Sequence, residues 1–163
     1  MKVTTTRFGE LDIEEGKVIH MPEGMLGFVE KRFILLTPEN LGPFCWLQAV
    51  DNPDLAFVVA DAKNCAPGYT FALTAEECRA LELSERSEAI FLLVVTMAPE
   101  PGDITVNLRG PIVLNPERLI ARQIVIEGEK YTTRHPFFET SEKKQSGLQR
   151  LERQPEKSVP PAG

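Results

Sequence analysis

Short runs of β-branched and aromatic residues alternate with glycine, proline, asparagine and aspartate along the first 138 residues. Apolar runs of roughly four to eight residues between such turn formers are typical of strands, whereas helices need longer segments with a helical period. Candidate turns separate the runs at residues 15–16, 51–54, 99–103 and 127–128. The pattern therefore predicts an antiparallel β fold.

Eleven segments fit this strand pattern. They cover residues 3–8, 11–13, 17–20, 33–36, 46–50, 56–60, 70–73, 89–97, 105–108, 112–114 and 122–126. Strands without intervening helices argue against a parallel α/β sheet. Because open strand edges tend to pair with other chains, we expect a mainly β fold, a small antiparallel β-barrel-like domain with one or two short helices.

One helix is predicted by a capping box at Thr74-Ala75-Glu76-Glu77. The Thr74 hydroxyl can accept a hydrogen bond from the Glu77 amide, while the Glu77 carboxylate can accept one from the Thr74 amide. The helix should run to about Leu81.

After Phe138 the sequence is polar and mixed in charge, and it holds few sizeable apolar residues. Such a segment cannot bury enough surface to offset its ordering entropy. We expect one folded domain over residues 1–138 and a disordered C-terminal tail over residues 139–163. Leu148 and Leu151 leave one alternative open, a short helix that forms on a partner.

The chain is acidic, with a formal net charge of −6. The tail holds four acids and five bases, so residues 1–138 hold 20 of the 24 acids and 13 of the 18 bases, a net charge of −7. Neutralising phosphates requires clustered Lys and Arg. Direct binding to nucleic acid is therefore disfavoured, and a basic protein partner is favoured.

Cysteine usage and hydropathy indicate a cytoplasmic protein. Cys45, Cys65 and Cys78 are odd in number and widely spaced, so they indicate neither a disulfide framework nor a zinc or redox motif. The longest apolar run, residues 89–95, is far shorter than the ~20 residues of a membrane-spanning helix. The first residues also lack the pattern of a secretory signal. We expect no contact with a membrane.

The sequence offers little for catalysis. His20 and His135 do not form a metal-binding helix motif, and no nucleophile elbow, phosphate loop or dinucleotide motif is present. Asp51, Asp54 and Asp61 suggest paired carboxylates or a calcium loop, but their spacing fits no such loop. An Asx turn explains Asp51 better. We predict no catalytic residues, no cofactor and no metal.

Two segments are candidates for recognition, because each places large apolar side chains beside glycine or proline. They are residues 22–28 and 43–48. The alternative that Phe28 and Trp46 belong to the core stays open. The residues singled out in the two segments are Met25, Leu26, Phe28, Trp46, Leu47 and Gln48.

Three motifs carry a family resemblance: WLQAVDNPDLAF at 46–57, TVNLRGPIVLN at 105–115 and YTTRHP at 131–136. In this order they resemble the FliW family of flagellar assembly factors, and the resemblance runs from the N-terminus to about Phe137. Two departures stand out. The 24–28 loop carries Met25-Leu26 where the family often has an apolar residue followed by proline, and Gly110 stands where alanine is common.

The resemblance implies a bacterial cytoplasmic protein with a compact β-barrel-like fold that binds flagellin near its C-terminal end before export. It also implies a second partner, the RNA-binding translational repressor CsrA, which loses its hold on the flagellin messenger when it is sequestered. Competition between the two partners would make translation follow the supply of unexported subunits. We expect a monomer when the protein is free.

The resemblance adds polar candidates for protein binding. The motifs contribute Asp51, Asp54, Asn107, Arg134 and His135. A helical flagellin segment with one apolar face is expected to meet a patch that Leu26, Phe28, Trp46 and Leu47 form or support. The surface expected to meet CsrA is acidic, since an RNA-binding protein is basic. Its candidates are Glu10, Asp12, Glu14, Glu15, Asp51, Asp54 and Asp61.

Two other classes of function remain as alternatives. One is a small β-barrel that binds RNA through aromatic strands, against which the acidic charge argues. The other is an enzyme with a cryptic site, for which the sign would be a deep pocket that holds His135 or the aspartates.

Overall fold

Strands dominate the part of the chain that the computed structural model describes, residues 1–85 and 88–138. One α-helix, α1, spans Ala75–Ala80, and 3-10 turns cover Glu15–Lys17, Ala62–Asn64 and Pro101–Asp103. The mainly β prediction is confirmed. The strands are β1 (Lys2–Thr5), β2 (Gly9–Asp12), β3 (Ile19–His20), β4 (Arg32–Leu36), β5 (Phe44–Ala49), β6 (Ala56–Asp61), β7 (Ile90–Thr96), β8 (Thr105–Val106), β9 (Ile112–Asn115), β10 (Ile120–Gln123) and β11 (His135–Pro136).

Seven of these strands close into a barrel, in the order β7-β6-β5-β4-β3-β10-β9 and back to β7. β7 closes the ring because it is long enough to pair with β6 through Val94 and with β9 through Phe91. Neighbouring barrel strands are antiparallel except β3 and β10, which meet in parallel at His20 and Ile120. The predicted β-barrel is therefore confirmed, with one parallel pair that the sequence pattern did not indicate.

The barrel interior takes one or more apolar side chains from every barrel strand. Alternate residues of a strand face opposite sides of a sheet, so each strand contributes about every second residue to this core. Burying such a side chain contributes about 1.5–3 kcal/mol. Central members, one per strand, are Ile19, Phe33, Leu47, Val59, Leu92, Ile112 and Ala121.

A second core lies on the other face of β5, β6 and β7. Trp46 and Leu93 have relative exposures of 1% and 0% there, and they belong to the same buried cluster as Phe137 and Phe138 from the end of the domain. Phe137 packs on Phe44 with ring centroids 4.8 Å apart. Because both faces of β5 are covered, five of its six residues are buried.

Two strands flank the barrel on one side. β8 pairs with the end of β7, and β11 pairs with β8 through His135 and Val106. On the other side, β1 and β2 form a separate antiparallel ribbon, which Val3 anchors by packing on Val18 and Ile34. The ribbon continues into the barrel through the bond from Thr6 N to Pro53 O at 3.0 Å.

The predicted helix is confirmed, including its cap. The Thr74 hydroxyl accepts from the Glu77 amide at 3.0 Å, and the Thr74 amide donates to the Glu77 carboxylate at 2.8 Å. Leu81 follows α1 as its C-cap and is fully buried.

The predicted strand at 70–73 is wrong. Residues 70–73 form no strand, because the Tyr131 hydroxyl takes both backbone groups of Thr70: it accepts from Thr70 N at 3.0 Å and donates to Thr70 O at 2.7 Å. Other strand boundaries in the structure differ from the predicted ones. β3 is shortened by the 3-10 turn at Glu15–Lys17, β10 begins at Ile120 rather than at 122, and β11 was not predicted.

The predicted tail at 139–163, with Leu148 and Leu151, lies outside the described residues. The domain boundary at 138 therefore stays a prediction. In the described ranges, no helix has the length and hydrophobicity that crossing a membrane requires.

Candidate protein-binding surface

The loop between β3 and β4, residues 21–31, carries the most conspicuous apolar surface of the described chain. Leu26, Phe28 and Val29 are exposed to 60%, 43% and 82%. We call these three side chains the apolar patch. Exposed apolar side chains that adjoin one another mark interaction sites more often than isolated ones do.

Two consecutive turns shape the loop. Gly24 N donates to Met21 O at 2.8 Å, and Phe28 N donates to Met25 O at 2.9 Å. Gly24 and Gly27 have φ of +67° and +86°, which other residues adopt only with strain. Met25 points inward and joins the barrel core, so it anchors the loop while its neighbour Leu26 is held outside.

Gln123 ties this loop to the turn between β8 and β9. Its Oε1 accepts from Leu26 N at 2.9 Å, and its Nε2 donates to Gly110 O at 3.0 Å. The Gly110 amide in turn donates to Asn107 Oδ1 at 3.1 Å. Leu26 and Asn107, far apart in sequence, are therefore linked through two intermediate residues.

The other end of the loop is held by the β5–β6 hairpin. The Phe28 ring packs edge-on against Phe57 with centroids 5.1 Å apart and an interplanar angle of 87°. Glu30 Oε2 accepts from Asn52 Nδ2 at 2.9 Å, and this bond lowers the pKa of the Glu30 carboxyl. The apolar patch therefore lies on a loop that is fixed at both ends, which reduces the ordering cost of binding.

Gln48 holds the β5–β6 turn from inside. Its side chain is fully buried, and Nε2 lies 3.1–3.3 Å from the carbonyl oxygens of Ala49, Asn52, Pro53 and Leu55. A buried amide that satisfies backbone carbonyls in this way has a structural role.

The Asp51 carboxylate, in the turn after β5, forms an ion pair with Arg32 of the neighbouring strand β4. Arg32 Nε donates to Asp51 Oδ2 at 3.0 Å and Nη2 to Oδ1 at 2.5 Å, a two-pronged geometry. The hydrogen bond from Arg32 lowers the pKa of Asp51 and raises that of Arg32.

The Asx turn predicted for Asp51 is wrong. The adjacent Asn52 forms the Asx turn instead, since its Oδ1 accepts a hydrogen bond from Asp54 N at 3.1 Å. The Asp54 carboxylate accepts from the Thr6 hydroxyl.

Comparison with known proteins decides the family. The model of the family described as "FliW protein" matches residues 2–137. The chain belongs to the FliW family. The resemblance of the three sequence motifs is confirmed.

Two relatives and one solved structure show how far the similarity extends. The flagellar assembly factor FliW of Geobacter sulfurreducens is 62% identical over 139 residues, which cover 85% of this chain and 87% of the relative. That of Natranaerobius thermophilus is 40% identical over 141 residues, covering 85% and 93%. A crystal structure of the flagellar assembly factor FliW superposes with a TM-score of 0.80 at 30% identity, covering 86% of this chain and 99% of that chain.

The FliW-motif residues near the C-terminal end of the domain lie beside β8. His135 is half-buried in β11 opposite Val106, and Arg134 is exposed and donates from its amide to Thr132 Oγ1 at 3.2 Å. Asn107 follows Val106 directly, and it is linked to the Leu26 loop through Gly110 and Gln123.

Gly110, which stands where alanine is common in the family, is closely approached by two side chains. A Cβ at this buried position would lie 3.0 Å from Gln123 Nε2 and 3.2 Å from Asn107 Nδ2. Glycine at position 110 of this chain therefore leaves room for the close approach of both side chains.

The predicted binding residues of this FliW-family chain separate by burial. Leu26, Phe28, Asp51, Asp54 and Arg134 are exposed, and Asn107 and His135 are half-buried. The others lie inside, where a partner docking on this surface does not touch them: Met25 and Leu47 belong to the barrel core, and Trp46 belongs to the second core on the other face of β5. The buried residues are Met25, Trp46, Leu47 and Gln48.

Sequence reasoning missed three residues of this surface. Val29 directly follows the segment that was singled out, so extending that segment by one residue would have included it. Val125, exposed to 56%, lies two residues beyond Gln123, whose side chain bonds the Leu26 amide. Gln123 itself gives no signal in the sequence, since its role depends on a contact between distant segments.

Within residues 1–85 and 88–138, no group of three or more His, Cys, Asp or Glu side chains is placed to hold a metal ion. A cavity of about 560 Å³ opens at one end of the barrel, but His135, Asp51, Asp54 and Asp61 do not line it.

Proposed function

We propose that this FliW-family chain is a flagellar assembly factor of the bacterial cytoplasm that acts by binding proteins rather than by catalysis. Its partners are unexported flagellin and the translational repressor CsrA, and the free protein is a monomer that does not bind nucleic acid directly. Membership of the family supports the general role. The observation that carries the binding mode is the exposure of Leu26 and Val29 on a loop fixed at both ends.

Flagellin is proposed to dock on the apolar patch. A helical segment with one apolar face needs a firm hydrophobic surface, and anchors in such surfaces dominate the binding energy. Phe28 is supported from beneath by Phe57, and Leu26 by Gln123. Val29 provides the most exposed side chain of the three.

The test is calorimetric titration of flagellin into the wild type, Leu26→Ala and Val29→Ala. Each substitution should cost about 2 kcal/mol or more, roughly a 30-fold loss in affinity. Glu76→Ala, an exposed change on α1, is the control and should leave the affinity unchanged. Circular dichroism checks that all variants fold. If Leu26→Ala and Val29→Ala both stay within about 0.5 kcal/mol of the wild type, the patch is not the flagellin site.

CsrA is proposed to approach the acidic face. Several of the candidate carboxylates are already engaged: Asp51 by Arg32, Glu10 by Lys2 at 3.2 Å, and Asp12 by the α-amino group at 3.6 Å. Ion pairing reduces what a carboxylate contributes to the external field. Glu14 and Glu15 are exposed at the start of a 3-10 turn and are proposed as the main source of attraction.

Stopped-flow association with CsrA at several ionic strengths tests this steering. The rate should fall as salt increases, and Glu14→Lys with Glu15→Lys should slow association at low salt. Glu127→Lys with Glu129→Lys makes the same charge change at two exposed positions after β10 and serves as the matched control. An association rate that does not respond to ionic strength would rule out steering.

A three-component titration decides whether the partners exclude each other. Competition by overlap predicts that saturating flagellin prevents CsrA binding altogether. A ternary complex with altered affinities would instead demonstrate coupling between separate sites.

A further inference from the structure

The cavity of about 560 Å³ at one end of the barrel has apolar walls. Eight of its eleven lining residues are apolar. Ile19 of β3 and Leu114 of β9 are buried members of the barrel core, and Leu35 of β4 and Ile90 of β7 are half-buried beside them. The volume lies within the range of about 300–1,000 Å³ that is usual for small-molecule sites.

The three charged residues of the lining, Asp12, Glu14 and Lys17, are all exposed, so they form the rim of the cavity. The Asp12 carboxylate is paired with the α-amino group at 3.6 Å. Glu14 and Lys17 carry opposite charges and belong to one turn, in which Lys17 N donates to Glu14 O at 2.9 Å. The rim therefore offers no net charge to hold an ionic group.

The walls decide which chemistry the cavity can accept. Every buried or half-buried residue of the lining has a hydrocarbon side chain, so no side chain inside it can donate or accept a hydrogen bond. A polar or charged group between these walls would lose its hydration without gaining a partner, which is unfavourable. A hydrocarbon surface would instead be removed from water, which is favourable. The cavity therefore selects an uncharged, mainly hydrocarbon molecule.

The backbone at Leu119 is a second, independent observation. Leu119 lines the cavity with a φ of +53°, a conformation that leucine adopts only with strain. Strained residues of this kind cluster at ligand sites. The buried Asn115 holds the turn in place: its Oδ1 accepts from Glu117 N at 3.1 Å and Arg118 N at 3.3 Å, and its backbone oxygen accepts from Leu119 N at 2.8 Å. This part of the wall is therefore fixed in advance, which lowers the ordering cost of binding.

We propose that the cavity at the barrel end binds an uncharged, mainly hydrocarbon small molecule. Its apolar body contacts Ile90, Leu114 and Leu119, and its outer end reaches solvent at the rim. The site is distinct from the apolar patch on the β3–β4 loop, because no residue of that patch lines the cavity. The inference does not depend on binding of flagellin or CsrA.

Fluorescence titration of the full chain with N-phenyl-1-naphthylamine tests the proposal. This uncharged dye brightens in apolar surroundings, and the wild type should bind it at a single saturable site. Leu35→Trp and Ile90→Trp place a bulky side chain in the cavity, and each should weaken dye binding about tenfold or more. Val29→Trp makes the same kind of change on the apolar patch and is the matched control, with unchanged affinity. Circular dichroism checks that each variant folds.

Two further measurements use the wild type alone, so they decide the question even if a filled variant does not fold. In methyl NMR, the dye should shift the resonances of Ile90 and Leu114 and leave those of Leu26 and Val29 in place. The sulfonated analogue 8-anilino-1-naphthalenesulfonate should bind more weakly than the uncharged dye, because its charge finds no partner inside the cavity.

Four results would overturn the proposal. The first is the absence of saturable dye binding to the wild type. The second is unchanged affinity in folded Leu35→Trp and Ile90→Trp. The third is a set of methyl shifts confined to Leu26 and Val29, which would place the dye on the apolar patch. The fourth is equal or tighter binding of the sulfonated analogue, which would contradict selection for an uncharged ligand.

Discussion

The amide of Leu26 donates to the side-chain oxygen of Gln123, which is 97 positions away in the sequence. This single bond aligns the exposed apolar loop with the turn that contains Gly110 and Asn107. It also makes Gln123, a residue with no binding role of its own, a determinant of how the proposed flagellin surface is presented.

Replacing Gln123 tests this dependence. Gln123→Glu keeps an oxygen for Leu26 N but places a carboxylate oxygen against Gly110 O, whereas Gln123→Leu removes both bonds. We expect a loss of about 1–2 kcal/mol in unfolding free energy for Gln123→Leu, and weaker flagellin binding than in the wild type. Urea unfolding and calorimetry measure the two effects. Arg122→Leu, on the same strand, is the control, and equal losses in both variants would contradict the role of Gln123.

Gly24 and Gly27 offer a matched pair. Both have positive φ, but a Cβ at Gly24 would also lie 3.1 Å from the backbone oxygens of Phe28 and Glu30, while one at Gly27 meets nothing within 4 Å. Gly27→Ala should cost about 1 kcal/mol from strain alone, and Gly24→Ala clearly more. Thermal unfolding monitored by circular dichroism compares them. Equal costs would mean that the close approach at Gly24 is unimportant.

Substitutions of Trp46 test whether this residue belongs to the core or anchors a binding partner. Its ring is 1% exposed, lies under the Arg7 guanidinium at 4.8 Å and packs against Phe8 at 5.8 Å. Trp46→Ala should cost about 3–5 kcal/mol in stability. Trp46→Phe should cost less and leave flagellin affinity per folded molecule unchanged. A loss of affinity in Trp46→Phe without a loss of stability would identify Trp46 as an anchor.

The pair of Asp51 and Arg32 predicts a modest dependence of stability on pH. Because Arg32 lowers the folded-state pKa of Asp51, its contribution is fully present above the unfolded pKa of about 3.9 and is lost as pH falls through the folded pKa. The pair is largely exposed, so the loss should be below about 1 kcal/mol and smaller at high salt. Urea unfolding of the wild type and Asp51→Asn between pH 2 and pH 7, spanning that pKa of about 3.9, measures it. Identical pH profiles would contradict the assignment.

Local chemistry accounts for what could be predicted from the chain alone. The capping box at Thr74 is complete within four residues, and the strands near 33–36, 46–50 and 56–60 follow from runs that are apolar on both faces. The three motifs shared with the FliW family are also contiguous in sequence, so the family could be identified before the structure was known. Such features depend only on residues that lie close together in the sequence, so they can be recognised without the structure.

The tertiary structure decided which of these residues reach the surface. Met25 and Leu26 are adjacent and similar in hydropathy, yet one fills the barrel and the other is exposed, because two turns and the bond to Gln123 set the direction of each side chain. The local pattern predicts a strand at Thr70, but its backbone N–H and C=O groups bond instead to the hydroxyl of Tyr131, 61 positions away. The sequence alone determined a β-rich, acidic domain of the FliW family. Long-range contacts determined where the barrel closes, which apolar residues stay outside it and where its cavity opens, since these depend on distances between segments that no local pattern records.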